Sequence, residues 1–146
     1  MDKSQLRSLP SPFYRVATRA IVFDDRQRLL VLEMDNHEYE LPGGGWEFNE
    51  TYQECLQREI EEELHVAVAS IGPLWFSYRG ESKRWGYQAL RLAAPVTLQD
   101  HNFRADDDHI NARFVTRTEF LALAWCQEEL EILTYTEILW PVGGNV

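Results

Sequence analysis

Seven carboxylates and one arginine crowd into residues 47–63: Glu47, Glu50, Glu54, Glu59, Glu61, Glu62 and Glu63 against Arg58. What they can do depends on where they point. The stretch 52–64 carries no glycine or proline, and Thr51 stands three residues before Glu54. That is the spacing of a capping box, in which the Thr hydroxyl takes an orphan N–H of the first turn and the Glu reaches back to the cap. A helix over 52–64 follows. At about 100° per residue, with Glu59 set at zero, Tyr52 falls near 20°, Cys55 near −40°, Leu56 near 60°, Glu62 near −60° and Glu63 near 40°. Glu59, Glu62 and Glu63 thus continue the apolar stripe that should face a core, while Gln53, Gln57 and Glu61 supply the solvent face. An acidic run usually marks a solvated face. Here three acids lie on the other side, where they repel one another and lose hydration unless something positive joins them. A divalent cation bound by oxygens meets that need, and Mg2+ in particular combines a few carboxylates with water and substrate phosphates.

The elements around this helix must hold it against a ligand. Just upstream lies Leu41-Pro-Gly-Gly-Gly-Trp-Glu47. Glycines between a strand and a helix let the backbone approach a ligand closely and present N–H or C=O groups to it. Alone, such a run is an ordinary turn; beside a carboxylate stripe it makes a cradle for phosphate and metal.

The chain has 146 residues, enough for one domain and little more. With 14 Lys+Arg against 24 Asp+Glu its net charge is −10, and six of those ten units lie in 47–63. Such a balance excludes sequence-independent binding to duplex nucleic acid, which needs a basic surface. The 45% hydrophobic content excludes a disordered acidic tail. Basic stretches flank the acidic centre: Lys3, Arg7, Arg15 and Arg19 on one side, Arg79, Lys83, Arg84 and Arg91 on the other. The N-terminus is polar, without the apolar core of a secretory signal, and no apolar run approaches the roughly 18 residues of a membrane span. Cys55 and Cys126 lie far apart without metal-site spacing, and read as reduced, packed thiols of a cytoplasmic protein.

Residues 16–23 and 29–34 read as apolar strands joined by a turn, and 39–41 as a short strand before Pro42. Further strands are expected at 66–70, 74–78, 85–92 and 110–115. A short helix is expected at 118–124 and a longer one at 126–140, stopped by Pro141. Residues 1–13 are expected to form a flexible leader, 14–140 a single domain and 141–146 a tail. Strands with interspersed helices indicate a mixed α/β domain with helices packed on a sheet. The last helix has two apolar stripes, Leu130/Leu133 and Ile132/Tyr135/Leu139, one for the core and one for a homodimer contact.

Residues 44–66 resemble the signature of the Nudix hydrolase family (MutT-like), G-x5-E-x7-R-E-U-x-E-E-x-G-U, where U is a bulky aliphatic residue. Gly44, Glu50, Arg58, Glu59, Ile60, Glu62, Glu63 and Val66 occupy its fixed positions, and His65 stands where the signature has its last glycine. The order of elements over 14–140 is also similar to that family. The resemblance implies an α/β/α sandwich with a mixed sheet. It implies metal-dependent hydrolysis of a pyrophosphate bond in a nucleoside diphosphate linked to another moiety, with a nucleoside triphosphate or nucleotide sugar as the small-molecule partner. It further implies that Glu59, Glu62 and Glu63, with the carbonyl of Gly43 or Gly44, bind Mg2+, or Mn2+ in its place. Glu62 is the expected general base, with Glu59 second, and an Arg58–Glu50 ion pair would hold loop and helix together.

His65 is expected to end the helix in the left-handed conformation that a glycine would take, at a modest cost. Arg79 and Arg84, in a loop expected beyond Tyr78, and Trp46, which could stack on a base, are the candidate substrate contacts. A solvated hairpin and a packed core aromatic are the plainer readings of the same residues. Asp106-Asp-Asp-His109 reads either as a loop bringing a further acid or as a solvated turn. Two other functions compete. A non-catalytic nucleotide-binding domain of the same family should lack one of the glutamates, and none is lost. A calcium-binding or purely structural acidic helix leaves the glycine run and Arg58 without a role.

Overall fold

The computed structural model describes residues 2–10, 12–83, 85–104 and 106–141. Arg84, an expected substrate contact, and most of the expected tail lie outside the described residues.

Side chains alternate across a strand, so each apolar strand buried on both sides feeds two cores. This decides the architecture. β1 (Tyr14–Ile21) and β2 (Leu29–Met34) are joined by a turn at Asp24, whose carboxylate accepts from the backbone N–H groups of Arg26 and Arg28. On one face Ala20, Val22, Leu30 and Leu32 pack with Leu56, Ile60 and Leu64 of α1 (Tyr52–Leu64). On the other, Ile21, Leu29 and Val31 pack with Phe120, Trp125, Ile132, Leu139 and Trp140 of the C-terminal layer. The result is an α/β/α sandwich.

Its sheet is mixed. β1 pairs antiparallel with β4 (Gly43–Gly45) and parallel with β7 (Tyr87–Leu98). β7 also pairs antiparallel with β5 (Val68–Ile71) and β6 (Phe76–Ser82). A second, three-stranded sheet places β2 between β3 (Tyr39–Glu40) and β8 (His109–Val115). The pairing of β4 with β1 sets the glycine run along α1, Gly44 against Glu59 and Gly43 against Glu63.

The expected capping box is present: Thr51 Oγ1 accepts from Glu54 N–H at 3.1 Å, and Glu54 Oε1 accepts from Thr51 N–H at 3.1 Å. At the other end His65 takes φ 56°, ψ 38°, with its N–H bonded to Glu61 O at 3.0 Å. The left-handed conformation costs a Cβ-bearing residue roughly 1–2 kcal/mol, part of which glycine would give back through its freer unfolded chain. His65→Gly should therefore stabilise the domain by about 1 kcal/mol, read as a higher urea midpoint at unchanged slope.

Several element assignments differ from expectation, among them the glycine run, which is itself a strand, β4. β6 runs on to Ser82, so Arg79 sits within a strand rather than in a loop. β7 continues through Pro95, whose carbonyl accepts from Gly72 N–H at 2.8 Å, and ends at Leu98. The expected long helix is instead a 3-10 helix, Gln127–Tyr135, followed by a short α-helix (Thr136–Leu139). Cys126, Glu129 and Ile132 are buried at intervals of three, the period of a 3-10 rather than an α-helix. A further α-helix (Arg117–Ala122) precedes it, capped by Thr116 and Glu119.

The 3-10 helix is anchored by charge. Glu129 is 0% exposed; its Oε1 accepts from Arg19 Nε at 3.1 Å, and its Oε2 accepts from the Tyr78 hydroxyl at 3.0 Å and Leu41 N–H at 3.2 Å. Arg91 Nε lies 2.5 Å from Glu129 Oε1, a charge contact without hydrogen-bond alignment, and Arg91 Nη2 donates to Glu128 at 3.3 Å. Within the expected leader, Lys3–Ser8 forms a 3-10 turn, and Arg7 Nε donates to the Trp85 carbonyl at 3.0 Å. Cys55 and Cys126 are both free and buried, and burial pushes the Cys55 thiol up to about 11. Among the described residues no helix is long and apolar enough to cross a membrane.

Candidate active site

Two backbone approaches explain the glycine run. Gly43 has φ 139°, and a Cβ there would meet the Thr18 carbonyl oxygen at 2.1 Å. Gly44 faces α1: a Cβ would sit 2.3–2.5 Å from the carboxylate atoms of Glu59. Any side chain at Gly44 therefore displaces Glu59, and any at Gly43 breaks the pairing with β1.

The loop between glycines and helix is held by Arg58. Its Nη2 donates to Glu50 Oε1 at 2.8 Å and to the Gly45 carbonyl at 3.1 Å, and its Nε donates to Glu50 Oε2 at 3.2 Å. Glu50 also accepts from the Glu47 N–H at 2.9 Å. The Arg58 hydrogen bonds, with that of Glu47, hold the Glu50 carboxyl down at about 2. The expected Arg58–Glu50 ion pair is formed, two-pronged, and it carries a second function: Arg58 Nη1 donates to Glu59 Oε1 at 2.7 Å.

The three glutamates are treated unequally. Glu63 is only 7% exposed and accepts from Gly43 N–H at 2.8 Å; burial raises its carboxyl well above the ordinary range against the pull of that bond. Glu59 is half-buried and also raised, again by burial, against the opposing bond and charge of Arg58. Glu62 departs from the expected inward orientation. Its side chain is 60% exposed, with only Arg58 Nη1 near, at 3.8 Å. The buried arc of α1 centres on Leu56 and Ile60, roughly 80° from Glu59 at 100° per residue, which leaves Glu62 at its rim. Each of the three keeps at least one carboxylate oxygen without a hydrogen-bond partner among the described residues.

Other expected contacts are engaged elsewhere. Trp46 Nε1 donates to the Glu50 carbonyl at 2.7 Å and its ring meets Tyr52 edge-on, so it braces the loop. Arg79 bonds Glu131 through its N–H at 3.0 Å and its guanidinium at 3.3 Å. Neither lines the cleft that opens next to the site. That cleft, about 370 Å³, is bordered by Met34, Glu40, Glu81, Lys83, Trp85 and Glu128 among others.

Glu40 and His109 escaped the sequence reading. Glu40 Oε1 bonds His109 Nε2 at 2.7 Å, and Asp106 Oδ1 bonds His109 Nδ1 at 2.9 Å. Burial alone would lower the imidazole pKa, but the Glu40 hydrogen bond and charge, with Glu63 and Asp106 nearby, raise it to about 9. Ligand atoms of Glu40, Glu63 and His109 all lie within 4.8 Å of one another. The acidic run before His109 was visible, but Glu40 on β3 and Glu63 on α1 are far away in the chain. Asp106 itself turns inward, accepting the N–H groups of Asp108 and His109.

Residues 13–135 match the NUDIX domain family model. Over 129 residues the chain is 28% identical to an RNA pyrophosphohydrolase from Ruthia magnifica subsp. Calyptogena magnifica, covering 80% of this chain and 70% of that protein. In fold it is similar to a NUDIX hydrolase from Nitrosomonas europaea, with a TM-score of 0.71 at 17% identity over 91% of this chain and 92% of that one. It is also similar to a MutT NUDIX hydrolase from Burkholderia pseudomallei, with a TM-score of 0.64 at 21% identity over 73% of this chain and 85% of the other.

Proposed function

The chain belongs to the Nudix family and is a phosphohydrolase of pyrophosphate-containing substrates, and from that premise we propose that its reaction is metal-dependent and cleaves a nucleoside diphosphate linked to another moiety. A nucleoside triphosphate or a nucleotide sugar is the substrate class. The observation that carries the reading is the set of unpartnered carboxylate oxygens on Glu59, Glu62 and Glu63 beside the glycine strand. Three acids with free oxygens, Glu63 buried, Glu59 half-buried and Glu62 at the rim, fit a hard divalent cation, Mg2+ or Mn2+. Glu59, Glu62, Glu63 and the Gly43 carbonyl would hold it. Such a cation neutralises phosphoryl oxygens and lowers the pKa of a bound water.

The chain's own residues do the rest. Glu62, exposed and weakly engaged, accepts the proton of the attacking water; Glu59, fixed by Arg58, is the second candidate for that role. Glu50 and the Gly45 carbonyl fix Arg58, so the glutamate geometry is set before substrate arrives. The cleft beyond Glu40 would receive the nucleoside, with Trp85 offering a stacking face and Lys83 a charge. Arg79 would reach phosphate only by leaving Glu131, and Trp46 would reach a base only by leaving Glu50. Free, buried thiols suit a cytoplasmic setting. Exposed Leu130 and Ile138 give the C-terminal layer an apolar face for a homodimer.

The relative described as an RNA pyrophosphohydrolase favours a second substrate, the 5′-triphosphate end of RNA. It needs only a single-stranded end at the cleft, so the acidic surface does not oppose it as it opposes duplex binding. The test is a panel of nucleoside triphosphates, nucleotide sugars and 5′-triphosphate RNA with Mg2+, products followed by phosphorus NMR. Hydrolysis of at least one compound, abolished by chelator, is expected. No hydrolysis of any, or hydrolysis indifferent to chelator, sinks the reading. Isotopically labelled water shows which phosphorus is attacked.

A further inference from the structure

The imidazole of His109 lies beside the signature helix without belonging to the signature. We propose that Glu40, Glu63 and His109 form a further cation site, which takes a first-row transition ion such as Mn2+, Co2+ or Zn2+ in preference to Mg2+. Ligand atoms stand roughly 2.0–2.2 Å from such ions, so adjacent ligands around one ion are about 3 Å apart. His109 Nε2 and Glu40 Oε1 are already 2.7 Å apart, and the Glu63 oxygen completes a triangle within 4.8 Å. An ion that takes the place of the proton between Nε2 and Glu40, releasing it to solvent, is within reach of all three after small side-chain movements.

Three further features point the same way. Glu63 is buried to 7% exposure, and Oε2, the oxygen not used by Gly43 N–H, has no hydrogen-bond partner among the described residues. Arg19 and His109 offset part of its burial by charge, yet neither bonds Oε2, which stays open to an ion. Next, Asp106 holds His109 Nδ1 at 2.9 Å, which aims Nε2 at the two glutamates. That carboxylate–imidazole relay is the usual support of a metal-ligating histidine. Asp106 is itself fixed by the backbone N–H groups of Asp108 and His109, so the ring has little freedom to turn away. Finally, the donor set decides the ion. Imidazole nitrogen favours transition ions, whereas Mg2+ keeps to oxygen and water.

The site shares Glu63 with the proposed Mg2+ ligands but does not depend on turnover. Its test is spectroscopic. The full chain is loaded with one equivalent of Mn2+ and pulsed electron paramagnetic resonance reads coupling to a ligand nitrogen. Coupling is expected in the wild type, retained in Glu62→Gln and lost in His109→Gln. Glu40→Gln, which can keep the hydrogen bond to Nε2, should weaken Mn2+ binding by about tenfold or more while leaving Mg2+ binding alone. That variant carries the test if His109→Gln fails to fold. Mn2+ bound without nitrogen coupling, coupling unchanged in His109→Gln, or equal losses of Mn2+ and Mg2+ in Glu40→Gln overturns the site. Mg2+-dependent hydrolysis without nitrogen coupling refutes the site alone, and coupling without any hydrolysis refutes the proposed reaction alone.

Discussion

Glu62→Gln is expected to lower kcat by at least about a hundredfold, the scale of a lost general base, with thermal stability unchanged. The side chain is 60% exposed and touches only Arg58, at 3.8 Å, so the amide disturbs no packing. Only its charge and proton affinity go. Glu63→Gln should lose comparable activity for a different reason. Its amide oxygen can still accept the Gly43 N–H, but a buried negative ligand is gone, and removing it relieves desolvation. Stability should hold or rise in that variant, while activity recovers partly at high metal concentration. Glu62→Gln should recover far less, because added metal can make up for its lost ligand oxygen but not for the lost base. Comparing kcat against metal concentration in the two variants therefore separates proton transfer from cation binding. Wild-type activity in both would remove the glutamates from the mechanism.

The largest loss of stability is expected from Glu129→Ala. Two guanidiniums, Arg19 and Arg91, are nearly fully buried and converge on this one carboxylate. Removing one partner of a buried ion pair typically costs about 3–5 kcal/mol, because the remaining charge loses its compensation. Tyr78 and the Leu41 N–H lose their acceptor as well. Arg91 retains Glu128 at 3.3 Å, but Arg19 keeps only the Thr18 carbonyl at 3.1 Å. At this chain length such a loss lowers Tm by on the order of 10 °C. Urea unfolding of the variant measures it directly; a change under about 1 kcal/mol would show that the arginines find water or other partners. Leu41 adjoins the glycine run, so this network also supports the loop that approaches Glu59 and Glu63.

Local chemistry carried most of the signature region. Thr51 and Glu54 define the helix start by hydrogen bonds within one turn, and the left-handed end at His65 follows from where the helix must stop. The pairing of Arg58 with Glu50 likewise lies within reach of one loop and one helix. Patterns failed where distant chain decided the outcome. Glu129 lies outside both apolar stripes of the helix expected over 126–140, yet it is fully buried because Arg19 and Arg91, from neighbouring strands, converge on it. The same burial at every third residue makes the segment a 3-10 helix where apolar stripes suggested an α-helix. Arg79 moved from loop to strand because β6 keeps pairing with β7 as far as Ser82.

The sequence by itself determined the signature helix, its caps and the acids that the helix carries, since each rests on spacing within a few turns of chain. Only the tertiary structure decided how those acids differ: Glu63 buried against Gly43, Glu59 tied to Arg58, Glu62 left at the rim. Burial and partnering depend on which strands fold against the helix, and helical angle alone does not contain them. The same holds for Glu40 and His109, 69 positions apart, which meet at 2.7 Å because β3 and β8 flank the same strand.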